Sequence, residues 1–210
     1  MSGLRLLLAG LALTMAGRAG AVYAPEPSVT VAARGNIEIA FSPDNDPEAA
    51  LLRAIGEARE RILVQAYLFT SKPLLRGLVE AHRRGVRVEV LLDAEMNRPA
   101  SASVLPDLMA AGIPVAIETR YNIAHNKVMI FDPASSRGAV ATGSYNFTRA
   151  ARLTNAENLM ILRGNPALVK IYLENWQQHR ADARLLHSLD ELPGRKRKES
   201  GRESDRTAPD

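Results

Sequence analysis

Apolar and polar positions alternate from Asn36 to Phe41, with Ile37, Ile39 and Phe41 set against polar neighbours. That period of two predicts a first strand. Asp46-Pro47-Glu48 then combines a capping side chain, a proline for the first turn and an early acid, the composition of a helix start. Leu51, Leu52, Ile55 and Ala58 follow at helical spacing and give that helix an apolar face. Arg61 to Phe69 is apolar enough to read as a buried strand. Ser71 caps a second helix, whose Leu74, Leu75, Leu78 and Val79 face inward, and Gly85 ends it. Val86 to Leu92 reads as a strand, a region between about Ser101 and Ala111 as a helix with Pro106 as a blemish, and Ile113 to Ile117 as another strand. Strands alternating with helices predict an α/β fold: a mixed, mostly parallel central sheet with helices on both faces. Beyond it, a strand after His125 and one over Ala139 to Thr142 form a hairpin. Glu157 to Leu162 makes a further strand. Pro166 opens a last helix, with Leu168, Val169, Ile171, Tyr172, Leu173 and Trp176 as its inner side.

The 210 residues suffice for one domain with a full hydrophobic core. The first residues have a different pattern. Arg5 precedes an apolar run from Leu6 to Ala16, and small residues end at Val22-Tyr23-Ala24. That layout predicts a secretory signal peptide over 1–24, cleaved after Ala24, and hence a periplasmic or secreted protein. A retained membrane anchor is the competing reading, and the run is short for a span. The chain has no cysteine, which excludes a disulfide framework, cysteine-ligated zinc and a cysteine nucleophile. The formal net charge of +4 is not a property of the core. Two of those charges are Arg5 and Arg18, and two more come from the tail after Gly194, which holds six bases and four acids. The neutral remainder gives no bulk case for nucleic acid, so any basic groove is local. The tail, 194–210, is polar without apolar periodicity and reads as disordered.

The chemistry gathers between residues 125 and 146. His125 and Lys127 are two apart at the start of an apolar run, so they share one face of a strand, at its polar end. Asp132 closes the strand, where it can bond backbone amides of a turn. Gly143 permits close approach of a second polar cluster, to which Ser144 and Asn146 add hydrogen-bond donors. Imidazole, ammonium, hydroxyl and amide together suit a phosphate ester. The imidazole can attack phosphorus and the others can hold the anionic oxygens.

This stretch resembles the phospholipase D superfamily, whose motif is His-x-Lys-x4-Asp followed by Gly-Ser and a nearby Asn. The match is His125, Lys127, Asp132, Gly143, Ser144 and Asn146. The run Pro133 to Thr142 is longer than the family's usual turn, and its first half reads as a hairpin loop. The resemblance covers roughly Asn36 to His179. Gln65 to Thr70 and Asn155-Ala156-Glu157-Asn158 also look like the small bacterial nuclease branch, which implies a nuclease domain over 25–193. It further implies catalytic roles for His125, Lys127, Asn146 and Glu157, phosphate contacts from Lys127, Ser144 and Asn146, and supporting roles for Asp132 and Gly143. Glu157 matches a family carboxylate that bonds the imidazole and fixes its tautomer. No metal or other cofactor is implied.

Hydrolysis through a covalent histidine needs two proton-competent groups. The chain has one His-x-Lys and no internal repeat. The resemblance therefore implies a homodimer, with one His125 from each subunit. The expected activity is that of an exported, metal-independent, nonspecific endonuclease cleaving DNA through a covalent phosphohistidine, with RNA as a second candidate substrate. A phospholipid hydrolase with the same site is the alternative, marked by an apolar, membrane-facing rim, and a non-catalytic nucleic-acid binder is a third reading. His82, His179 and His187 read as surface residues. Asp93 and Glu95 could bind magnesium from a strand end, but no histidine pair or third spaced acid joins them.

Overall fold

Eight strands form one sheet in the order β1-β7-β6-β5-β2-β3-β4-β8. The computed structural model describes residues 28–194. The expected signal peptide, and the tail apart from Gly194, lie outside them. Residues 28–30 have no regular structure and belong to a separate N-terminal unit, and the fold is that of the unit beginning at Val31. Its elements are β1 (Asn36–Ser42), α1 (Pro47–Glu57), β2 (Arg61–Ala66), α2 (Lys72–Arg83), β3 (Arg87–Asp93), α3 (Leu105–Ala110), β4 (Val115–Glu118), β5 (Lys127–Phe131), β6 (Ala139–Gly143), α4 (Arg149–Leu153), β7 (Glu157–Arg163), α5 (Pro166–Asp182) and β8 (Arg184–Leu185).

The predicted helix starts are present. Asp46, Ser71 and Asn165 each accept a backbone N–H three residues on, at 3.1, 3.2 and 3.2 Å, and so satisfy donors that a first turn leaves open. Pro106 falls in the first turn of α3, where its missing N–H costs nothing. It marks a start rather than a blemish, which is why α3 begins later than the apolar pattern suggested.

The sheet is mixed as expected, but it is mostly antiparallel. Only β2 with β3 and β3 with β4 run parallel. The other pairings are antiparallel. The physical reason lies in the connections. A parallel pair needs a crossover, and α2 and α3 supply two. β5 and β6 are joined by residues 132–138 with no crossover helix and form a hairpin. β1 does not neighbour β2 at all. After α1 the chain restarts in the middle of the sheet, and β1 is later paired by β7.

The two faces are covered unequally. Residues from α1 to α4 pack on one, against Val64, Met129 and Ile161 among others. α5 alone covers the other, where Val169 and Trp176 meet Leu63, Leu91 and Val140. Trp176 is 2% exposed, and its indole N–H donates to the Val64 carbonyl at 3.3 Å. α5 does not reach over the β1 edge. Ile37, Ile39 and Phe41 are 53–55% exposed there, with Leu162 and Met160 opposite the first two. The alternation in this strand thus faces its apolar side away from the core.

Candidate active site

One end of the sheet gathers the start of β5, the end of β6, the start of β7 and the end of β2. His125 precedes β5 by two residues and is exposed. Its ring lies against Tyr67, with centroids 4.4 Å apart and planes at 56°. Tyr67 follows β2, and its N–H donates to the Asn126 carbonyl at 2.9 Å. Lys127 begins β5 opposite Ala66 and is 6% exposed. Its Nζ donates to the His125 carbonyl at 2.7 Å and sits 4.8 Å from the Tyr67 ring centroid. An ammonium over an aromatic face is stabilised by the ring quadrupole. Burial still pushes the Lys127 ammonium below its usual range, against the opposing pull of the Glu157 carboxylate.

A consequence follows for pH. Turnover that needs a charged Lys127 is expected to fall on the alkaline side at a pH below the usual lysine range. A pH–rate profile checks this, and Lys127→Arg, which stays charged, should move the alkaline limb upward. Stability has its own sign. The folded-state value lies below the unfolded one, so the unfolded chain holds more protons between the two, and this residue's contribution makes the fold more stable as pH rises through that window.

Gly143 ends β6 where backbones nearly touch. A Cβ there would lie 2.3 Å from the Asn158 carbonyl oxygen, a distance no side chain tolerates. The same oxygen accepts from the N–H groups of Ser144 and Tyr145 at 3.1 and 3.2 Å. The Ser144 hydroxyl donates to Glu157 Oε2 at 2.6 Å and accepts from the Asn158 backbone N–H at 3.0 Å. Asn155 Nδ2 donates to the other Glu157 oxygen at 3.1 Å. Expected as a phosphate contact, Ser144 is here a bracket for Glu157.

The expected bond from Glu157 to the His125 ring is not made among the described residues. The imidazole instead leans the other way, onto Tyr67 from β2. Glu157 acts on the site through its charge, which Lys127 feels.

Asn146 is half-buried, and its Oδ1 is buried without a hydrogen-bond partner among the described residues. A buried orphan of this kind costs about 1–3 kcal/mol. Oδ1 accepts only, so it is the Nδ2 of the same amide that can donate to an anionic phosphate oxygen. Tyr145 beside it is wholly buried, and its phenol is held well above its usual range by burial and by the nearby Glu48 and Asp46 carboxylates.

Asp132 is elsewhere. It lies past the opposite end of β5 from His125, roughly 17 Å along the strand from Lys127. Its carboxylate accepts the backbone N–H groups of Arg59, Glu60 and Arg61, with shortest distances of 2.9, 2.7 and 2.9 Å. It supports the turn between α1 and β2, not the site. Asp93 is likewise engaged by backbone: its carboxylate accepts from Glu95, Met96 and Ala124 N–H groups at 2.9–3.0 Å. His187 is exposed as expected, whereas His82 is half-buried. His179 is not a surface residue either. Its side chain is 13% exposed and bonded to a buried Glu118, 61 positions away. The roles of Tyr67, Asn155 and Asn158 at the site are also new. Their stretches drew notice in the sequence, but only the register of the strands shows what they touch.

The match to known proteins agrees with this geometry. Residues 51–180 fit the family model described as "Cardiolipin synthase, PLD-like domain". A phospholipase D of Rickettsia prowazekii is 35% identical over 160 residues, which is 76% of this chain and 75% of that protein. The mitochondrial cardiolipin hydrolase of Mus musculus is 32% identical over 128 residues, 61% of this chain and 55% of its own length. Among solved structures, Nuc of Salmonella typhimurium, a phospholipase D family member, superposes with a TM-score of 0.67 at 31% identity, covering 74% of this chain and all of Nuc. With the motif residues of β5 and β6 at one sheet end and the fold shared along its length, the chain belongs to the phospholipase D superfamily of phosphodiester-cleaving hydrolases.

Proposed function

We propose that this protein is an exported, metal-independent endonuclease that cleaves DNA through a covalent phosphohistidine, and that its working form is a homodimer. The observation that carries the reading is the convergence of one imidazole, one buried ammonium and one side-chain amide at a single sheet end. In the first step His125 Nε2 forms a bond to phosphorus as the bond to the leaving oxygen breaks. His125 of the partner subunit, protonated, gives its proton to that oxygen. The now neutral ring then takes a proton from water, the hydroxide attacks phosphorus, and the P–N bond breaks to release the second product. Lys127 and Asn146 from both subunits hold the non-bridging oxygens, whose charge is greatest in the transition state. Protein groups supply the charge stabilisation, so the reaction needs no metal.

A second copy is supported by chemistry and by surface. A lone His125 cannot act as nucleophile and acid in the same step. The uncovered apolar strip on β1 runs toward the same sheet end, with Phe41 opposite Asn158 and Ser42 opposite Glu157. An exposed strip of this kind suits a protein partner. Export, to the periplasm or beyond, rests on the pattern of residues 1–24 alone.

Phospholipid is the second reading, and one observation favours it. Tyr121 and Ile123, on the segment leading to His125, are 37% and 59% exposed and give the site an apolar margin. The named relatives that are phospholipase D and cardiolipin hydrolase point the same way. The deciding experiment offers plasmid DNA, RNA and phospholipid vesicles side by side in excess chelator. Cleaved plasmid is the expected result. Intact plasmid that is cut once magnesium is restored overturns metal independence. Phosphatidic acid released while DNA stays intact assigns the lipid role instead.

A further inference from the structure

We propose that His179, Glu118 and Tyr121 form a splint from α5 that positions His125, which makes His179 and Tyr121 positioning residues for the reaction. The inference rests on the proposed role of His125 as the reacting imidazole. Glu118 ends β4, and its side chain is 2% exposed. A buried carboxylate has to be paired and hydrogen-bonded. Gln65 Nε2 donates to both its oxygens at 3.2 Å, and His179 Nδ1 from the last turns of α5 bonds Oε1. The His179 ring stacks on Tyr121, with centroids 4.9 Å apart and planes at 28°. Tyr121 is four residues before His125, on the segment between β4 and β5.

Ahead of His125, three contacts fasten that segment, in addition to those that His125 and Asn126 make with Tyr67 and Lys127. Tyr121 meets His179, Arg120 pairs with Asp182 at the end of α5, and the Ala124 N–H donates to Asp93 at 2.9 Å. Two of the three ties lead to the final turns of α5. The helix itself does not need them for docking, because Val169 and the wholly enclosed Trp176 already hold it against the sheet. A buried hydrogen-bonded pair is also weak support for stability, since apolar residues of the same shape serve about as well. The pair is therefore best explained by what it fixes. The ring of His179 sets where Tyr121 lies, and Tyr121 sets the path by which the chain enters His125. Misplacing a reacting group by about 1 Å costs on the order of a hundredfold in rate.

The test compares Tyr121→Ala, Tyr121→Phe and His179→Gln with the unaltered full chain, using bis(p-nitrophenyl) phosphate as substrate. Tyr121 is partly exposed, so its replacement leaves the core intact. The expected result is a kcat lower by about 10- to 100-fold in Tyr121→Ala and His179→Gln, with KM within about threefold, and recovery in Tyr121→Phe, which keeps the ring face. A kcat within twofold of the unaltered protein in both variants overturns the splint. A second readout is independent of turnover. The chain has four histidines, so the His125 ring proton resonance is assignable by its loss in His125→Ala. That resonance is expected to shift or broaden in Tyr121→Ala, and an unchanged line overturns the inference. An unaltered protein without turnover would sink the enzymatic reading, while the resonance would still decide the splint.

Discussion

Replacing His125 with alanine is expected to lower turnover by at least about a thousandfold, because in the proposed dimeric mechanism the nucleophile and the leaving-group acid both vanish. The fold should be untouched, since the ring is exposed and its own contact is with Tyr67. The thermal midpoint and the dimer mass are the controls. Mixing adds a sharper measurement. If altered and unaltered subunits are refolded together in equal amounts, about a quarter of the dimers hold two intact imidazoles. Activity should fall to that fraction of the fully unaltered sample if both rings serve one phosphorus. A result near one half would mean that each subunit works alone, and the shared mechanism would fail.

Asp132→Ala is expected to have its large effect on stability. The carboxylate satisfies three consecutive backbone N–H groups at the turn before β2, the central strand. Hydrogen bonds to a charged group contribute about 1.5–3 kcal/mol each, and they are not additive when one acceptor serves all three. A total loss of about 3–4 kcal/mol is expected, which for a chain of this size lowers the melting midpoint by about 10 °C. Asp132 also sits at a φ of +43°, which alanine adopts less readily than aspartate. Below the melting range, kcat per folded molecule should stay within about threefold, because no contact links Asp132 to His125. A stable protein with no turnover would reverse this reading and return Asp132 to the chemistry.

These two motif residues show what the sequence could and could not reveal. The spacing of His125 and Lys127 on an apolar run was enough to put both at one strand end. The order of Gly143, Ser144 and Asn146 was enough to bring a second cluster there. Strand direction was not readable from apolar alternation, which is the same in parallel and antiparallel ladders. Nor was the face that β1 would turn outward. Ser144 carries one hydroxyl whatever it serves, and its neighbours Glu157 and Asn158 become visible only once β6 and β7 are paired. The link from His179 to Glu118 joins distant positions through a helix that crosses the sheet, and no local pattern marks it. β8 went unpredicted because two residues are too few for a period to show.

The pairing of β1 has a consequence for how the molecule is assembled. Among the described residues its ladder partner is β7, near the far end of the sheet-forming chain. A chain released N-terminus first must hold the backbone N–H and C=O groups of β1 without a ladder partner until almost everything else has emerged. Closing so long a loop is entropically slow, and it is rewarded only at the last moment. Truncation before Glu157 would leave the backbones of β1 and β6 without the strand that joins them, a sticky fragment rather than a smaller enzyme.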